Sequence, residues 1–279
     1  MDDFRGKVAV ITGAASGMGR AYARRFSAEG MSVVLADIDA EGLDVLVSEL
    51  REAGRDASGV VADVTDPDSV EALAEAAFER HGGVHVLSSN AGGSGDTRGP
   101  IWENTQEQWE FVFGLNMYGV VNGIRSFVPR MIAMDEEAHV VNTSSMSGIV
   151  PGGLIYGAAK HAVVSISETL YLQLRRRNLK VHAHALCPWF VKTSLTSRSD
   201  DPRAVAAYRG AIQPEDVAEA VVQGLRDNRF YILPQHDLDE LILARARNIV
   251  AESEPASITP WEASASVHSG SSVSDAIRR

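Results

Sequence analysis

Tyr156 and Lys160 stand four residues apart in the stretch YGAAK, shortly after a run of hydroxyls, NTSSMSG. On a helix that spacing puts both side chains on one face. A free tyrosine titrates near 10 and is a poor base around neutrality. A neighbouring ammonium favours the phenolate and lowers that value, and proton transfer works best when the catalytic pKa lies near the operating pH. Ser145, or a hydroxyl beside it, could donate to a substrate oxygen as charge develops there. The spacing therefore suits an acid–base pair with a hydroxyl partner. Alone, it also describes a helix start with a packed tyrosine and an exposed lysine.

A second stretch, VAVITGAASGMGR, puts Gly13, Gly17 and Gly19 between an apolar run and an amphipathic one. A turn this tight needs backbone positions that side chains would block. It brings a pyrophosphate within reach of amides at a helix N-terminus, where the helix dipole favours negative charge. The spacing is G-x-x-x-G-x-G rather than G-x-G-x-x-G, and by itself it also describes a tight turn without a ligand. Asp37 adds to it. An acid at the end of the next strand is where the adenosine ribose hydroxyls are bound. A carboxylate there repels the extra phosphate of NADP, and neither Ile38 nor the glycine turn offers a cation to welcome it. NAD is the expected cofactor, with NADP disfavoured.

These groups need elements to position them. Short apolar, β-branched runs (KVAVIT, MSVVLAD, ASGVVAD, VHVLSSN, AHVVNTSS, KVHAHALCP and RFYILPQ) read as strands. Amphipathic runs between them read as helices, including long ones over about 105–134 and 154–177. Strict β–α alternation predicts a parallel sheet covered by helices on both faces. Residues 1–250 read as a single dinucleotide-binding catalytic domain. Residues 251–279 form a Ser- and Ala-rich tail, either flexible or ordered against a partner. The stretch 192–210 reads as a loop placed to act as a lid.

Composition narrows the partners. The 279 residues carry a formal net charge of −11, which disfavours nucleic acid and anionic membrane surfaces. A single cysteine, Cys187, excludes an intrachain disulfide and fits a reducing compartment. The opening MDDFRGK has no apolar core, and no run approaches the roughly 20 apolar residues of a membrane span. A cytoplasmic protein is expected. His182 and His184 alternate along a strand without metal-ligand spacing, so no metal site is expected. His161 and Cys187 read as packing residues.

Five stretches occur in one order: TGAASGMG, SNAG at 89–92, LNMYG at 115–119, NTSSMSG and YGAAK. Together, over about 7–234, they resemble the compact single-domain branch of the short-chain dehydrogenase/reductase family. That resemblance implies a Rossmann-type, doubly wound parallel sheet of about seven strands. It implies that Tyr156 is the acid/base, with Lys160 binding the nicotinamide ribose and lowering the tyrosine pKa. Asn116 would hold a water in a proton relay to Lys160, and Ser145 would serve as the catalytic serine, with Ser144 or Ser147 as substitutes. The cofactor would lie against Gly13, Ser16, Gly17, Met18, Gly19, Asp37, Asp63, Val64, Asn90, Ala91, Gly92, Pro188, Val191 and Thr193. The sequence departs from the family's pattern at Trp189, where glycine usually follows the proline, and in the shorter spacing from Ser145 to Tyr156. Leu154, Ile155, Trp189, Phe190 and Trp102 suggest an apolar substrate pocket.

The resemblance implies an NAD(P)-dependent oxidoreductase that interconverts a secondary alcohol and a ketone, and the apolar pocket residues point to a medium-sized hydrophobic substrate, such as a terpenoid or steroid-like molecule. A dinucleotide-binding regulatory protein without turnover, or an isomerase or dehydratase using the same tyrosine, are the other classes it leaves. The family's habit of pairing long helices across two-fold axes implies a homo-oligomer, a tetramer or a dimer.

Overall fold

The computed structural model describes residues 1–95, 97, 99–193, 210–236 and 239–255. Strand β1 (Val8–Thr12) leads into α1 (Gly17–Ala28), β2 (Ser32–Asp37) into α2 (Ala40–Glu52), and β3 (Ala57–Val61) into α3 (Pro67–His81). Strand β4 (Val86–Ser89) is followed by α4 (Gln106–Phe113) and α5 (Gly119–Ala133). Strand β5 (Ala138–Thr143), α6 (Leu154–Arg176), β6 (Val181–Leu186), α7 (Pro214–Arg226), β7 (Tyr231–Ile232) and α8 (Asp239–Val250) complete the order. Local chemistry sets several boundaries. Asp39 caps α2 by accepting from the Gly42 amide at 3.1 Å. Thr105 and Gln108 close a reciprocal capping box on α4. Pro67 opens α3 and Gly82, at φ 74°, ends it in the left-handed region.

The seven strands pair in parallel in the order β3-β2-β1-β4-β5-β6-β7. The order reverses between β1 and β4, and in doubly wound sheets the crevice beyond that reversal is where ligands bind. Ile11, Leu35, Val141 and Leu186 pack on one face with Tyr22, Phe26, Val217 and Val221. Val10, Val34, Leu87 and Val140 pack on the other with Leu73, Phe127, Met131 and Leu170. The expected doubly wound sheet is the one observed, and its central strands are apolar on both faces because both are covered.

The structure departs from the sequence reading in three places. The helix expected over 105–134 is interrupted by a π-helical turn, Gly114–Tyr118, which separates α4 from α5. Strand β7 has only two residues. Helix α8 was not expected. Most of the expected lid and tail, at 194–209 and 256–279, lies outside the described residues. Among the described residues no helix is long and apolar enough to cross a membrane.

Candidate active site

The end of β1 and the end of β4 are held together by Thr12. Its hydroxyl accepts from the amides of Asn90 (3.0 Å) and Ala91 (3.1 Å). The Asn90 amide group donates back to the Thr12 carbonyl at 2.9 Å. Sequence reasoning missed Thr12; the available signal was a hydroxyl closing an otherwise aliphatic strand. The glycine turn is packed against this junction. Gly13 has φ 65°, and a Cβ there would lie 2.8 Å from the Ala91 Cα. A Cβ on Gly19 would lie 2.0 Å from the Gly13 carbonyl oxygen, so the first turn of α1 presses directly on the loop.

Asp37 ends β2 beside the turn and orders it. One carboxylate oxygen accepts from the Ala15 amide at 2.8 Å and the other from the Asp39 amide at 3.0 Å. Ser16 caps α1 without a side-chain bond to the helix, and Met18 packs one turn from Tyr22. Asp63, after β3, accepts from the amide (2.8 Å) and hydroxyl (2.7 Å) of Thr65. Val64 is buried, and its carbonyl accepts from Asn122 at 2.9 Å.

Tyr156 and Lys160 lie on the first turns of α6. Lys160 is buried, its Nζ donating to the Thr143 carbonyl at 2.8 Å and standing 5.5 Å from the centre of the Tyr156 ring. Among the three candidate serines, Ser144 uses its hydroxyl on the Lys160 carbonyl at 2.8 Å, stapling α6 to β5. Ser145 donates to the Pro188 carbonyl at 3.5 Å and lies near enough to Tyr156 to act on its titration. Its Oγ also accepts from the Ser147 amide at 3.1 Å, which fixes the hydroxyl at the end of β5. Asn116 comes from the π-helical turn. Its amide donates to the carbonyls of Gly93 (2.7 Å) and Val112 (2.8 Å). A Cβ on Gly92 would lie 2.9 Å from Asn116 Oδ1 and 3.3 Å from Lys160 Nζ, so only a bare backbone fits between those two groups.

Burial governs the titration of the pair. It pushes the Tyr156 phenol up to about 12, against the Ser145 hydrogen bond, which acts in the lowering direction. Burial pushes the Lys160 ammonium down to about 8. In the protein alone, burial acts against the lowered tyrosine pKa that the family resemblance implies.

On the far side of Tyr156, Pro188 accepts from the Met146 amide at 2.9 Å. The Trp189 amide donates to Gln235 at 3.1 Å. The Trp189 ring meets Phe190 edge-on at 4.6 Å and packs with Ile149, Val150, Leu241 and Ile242. Helix α8 thus closes on the segment that carries Ser145. Val191 pairs with Ile212, and the Thr193 methyl would lie 3.1 Å from a Cβ on Gly17, which brings this segment over the glycine turn. Ile155 is wholly buried with Val112 and Ala159, beneath Tyr156 rather than in a pocket wall. Trp102 is 81% exposed and lies apart from this cluster. No group of three or more His, Cys, Asp or Glu among the described residues could hold a metal ion.

The donor set fits a dinucleotide. The turn has no room for a side chain at Gly13 or Gly19, an acid ends β2, and Asn90 Oδ1 is buried without a partner beside the β1–β4 junction. Comparison with known proteins points the same way. The short chain dehydrogenase family model matches residues 7–204. The chain is 38% identical over 233 residues to 1-deoxy-11-beta-hydroxypentalenate dehydrogenase of Streptomyces exfoliatus, covering 83% of this chain and 84% of that one. It is 35% identical over 243 residues to 3beta-hydroxysteroid dehydrogenase 1 of Eggerthella lenta, covering 83% and 91%. A short chain dehydrogenase/reductase of Burkholderia phymatum, solved in complex with NAD, superposes with a TM-score of 0.85 at 39% identity, covering 93% of this chain and 99% of that one.

Proposed function

The chain belongs to the short-chain dehydrogenase/reductase family, and on that premise we propose that it oxidises a medium-sized apolar secondary alcohol to the ketone, or runs the reverse, with NAD preferred over NADP. The observation that carries this reading is the convergence of Tyr156, Ser145, Lys160 and Asn116 beside the glycine turn. When bound, nicotinamide supplies the hydride acceptor or donor. Tyr156 takes the proton from the alcohol oxygen as the hydride leaves the carbinol carbon, or returns it to the ketone oxygen. Ser145 donates to that oxygen and steadies the charge on it. Lys160 favours the phenolate electrostatically and holds the nicotinamide ribose, and Asn116 orients a water that links Lys160 to solvent. The remaining cofactor contacts fall to the glycine turn, Asp37 on the adenosine ribose, Asp63 and Val64 near the adenine, Asn90 to Gly92, and Pro188, Val191 and Thr193.

Two lines support the substrate class. Trp189 and Phe190 offer an apolar wall, continued by α8. Relatives that share a third or more of the sequence are named for a hydroxypentalenate and a 3beta-hydroxysteroid. We take residues 1–250 as the catalytic domain and 251–279 as a tail. Formation of NADH at 340 nm, followed across a panel of cyclic and acyclic secondary alcohols, tests the reading. Turnover on the cyclic members is the expected result. A protein that binds NAD yet oxidises none of them is a regulator, an isomerase or a dehydratase instead.

A further inference from the structure

Helix α1 begins inside the glycine turn, and few side chains there can hold the backbone in place. Gly17 and Gly19 have none, and Gly17 sits at φ 51°. Ser16 is exposed and caps the helix without a side-chain hydrogen bond. From Ser16 to Gly19, only Met18 sends a side chain inward. It packs against the apolar cluster that contains Val191, from the segment over the turn, and Val217 and Val221 of α7.

The Met18 thioether has a polar neighbour. Tyr22, one helical turn on, donates its phenolic hydroxyl to Met18 Sδ at 3.7 Å. The reach follows from helix geometry. Side chains four apart share a face, and each leans back over the turn before its own Cα. Tyr22 is wholly buried, in the same apolar cluster. Burial pushes its phenol up, so the hydroxyl stays protonated and remains a donor.

Stability alone does not account for that hydroxyl. A buried donor needs a good acceptor to offset its desolvation, and a thioether is a weak one. Phenylalanine would fill the same apolar space with no donor to desolvate. What the hydroxyl does hold is the side chain between the two glycines, in the turn assigned above to the pyrophosphate.

We infer that Tyr22 is a positioning residue for the cofactor: its hydroxyl fixes the Met18 side chain, and through it the backbone between Gly17 and Gly19. The inference rests on the functional reading above and adds a residue that touches neither cofactor nor substrate. A turn already held in its bound shape has less ordering to do when the cofactor arrives. The gain falls on NAD affinity and not on the hydride step.

Calorimetric titration with NAD, thermal melts without cofactor, and kinetics with the fastest alcohol of the panel test this. Tyr22→Phe should weaken NAD binding about five-fold, the scale of one net hydrogen bond, and raise KM for NAD to match. Its kcat should stay near the wild-type value, and its Tm should stay level or rise. Met18→Leu keeps the apolar bulk and removes the sulfur, so it should weaken NAD binding to a similar extent. The double variant should bind no more weakly than either single one, because both remove the same contact. Wild-type NAD affinity in Tyr22→Phe overturns the inference. So does a lowered Tm in that variant, which would make the hydroxyl a structural contact, and so do effects that multiply in the double variant. A wild-type protein that binds no NAD overturns the functional reading itself, and the inference with it.

Discussion

Lowering the pH should destabilise this protein through two buried histidines at the opposite end of the sheet from the tyrosine. His139 on β5 and His184 on β6 are completely buried. His184 Nδ1 lies 2.6 Å from the Arg229 carbonyl, which only accepts, so Nδ1 carries the proton and Nε2 is an acceptor. His139 Nδ1, 2.9 Å from that Nε2, must then be the donor. Glu137, the N-terminal ammonium of Met1 and the stacked ring of His182 also face this pair. Burial pushes His139 down to about 2 and His184 down to about 4. Above pH 6.5, the ordinary histidine value, neither the folded nor the unfolded chain holds these protons. Below it the unfolded chain binds two that the folded chain refuses, so stability falls as pH falls. The slope is about 2.7 kcal/mol per pH unit for the pair, or about 4 kcal/mol between pH 8 and pH 5. That is a large part of a total of about 5–15 kcal/mol. His81, His85 and His182 are lowered by burial too and act in the same direction. Urea unfolding at pH 8, 6 and 5 measures the slope, and His139→Gln should remove about 2 kcal/mol of the pH-dependent loss. Equal stability at pH 8 and pH 5, or an unchanged slope in the variant, would refute the reasoning.

Tyr156→Phe removes one hydroxyl and should lower turnover by about 10²–10⁴-fold while NAD still binds, as titration of the purified variant would register. Near-normal turnover would remove Tyr156 from the chemistry. Alcohol oxidation should rise with pH through one ionisation of the Tyr156–Lys160 pair, seen in a kcat/KM profile. Asp37→Ala should narrow the gap between NAD and NADP affinities, and a wild-type preference for NADP would contradict the role given to that carboxylate. Phe111 and Tyr118 are more than half exposed on α4 and the turn after it. Light scattering at micromolar concentration should therefore find a dimer or tetramer, and a stable monomer would count against assembly through these helices.

The sheet was legible because its strands are short apolar runs, the first four closed by Gly13, Asp37, Asp63 and Asn90, and period separates such runs from the amphipathic helices between them. The spacing of Tyr156 and Lys160 was legible for the same reason, since a shared helix face needs only a residue count. Three features were not. Helix α8 has a modest apolar stripe, and its packing on Trp189 depends on contacts distant in sequence. His139 carries no signal of its own, because a histidine in a strand shows its partner only once register puts β5 beside β6. Burial at Tyr156 was not legible either, because the sequence argument could count a nearby ammonium but not the desolvation that acts against it.

Asn116 shows where pattern reading stops most clearly. The stretch from Gln106 to Ala133 keeps helical composition throughout, and Pro129 is its one strong breaker. Nothing in FGLNMYG marks a change of pitch. The chain nonetheless widens into a π-helical turn from Gly114 to Tyr118. Such turns insert a residue into a helix and concentrate at functional sites. The insertion changes the angular position of every side chain after it relative to α4. Val112 therefore packs beneath Tyr156 while Asn116, one turn on, reaches the Gly93 carbonyl across the site. The same side chain holds the Val112 carbonyl, so one amide ties α4, the turn and the loop after β4 together. Losing that amide would loosen the wall behind Lys160 as well as any water held there.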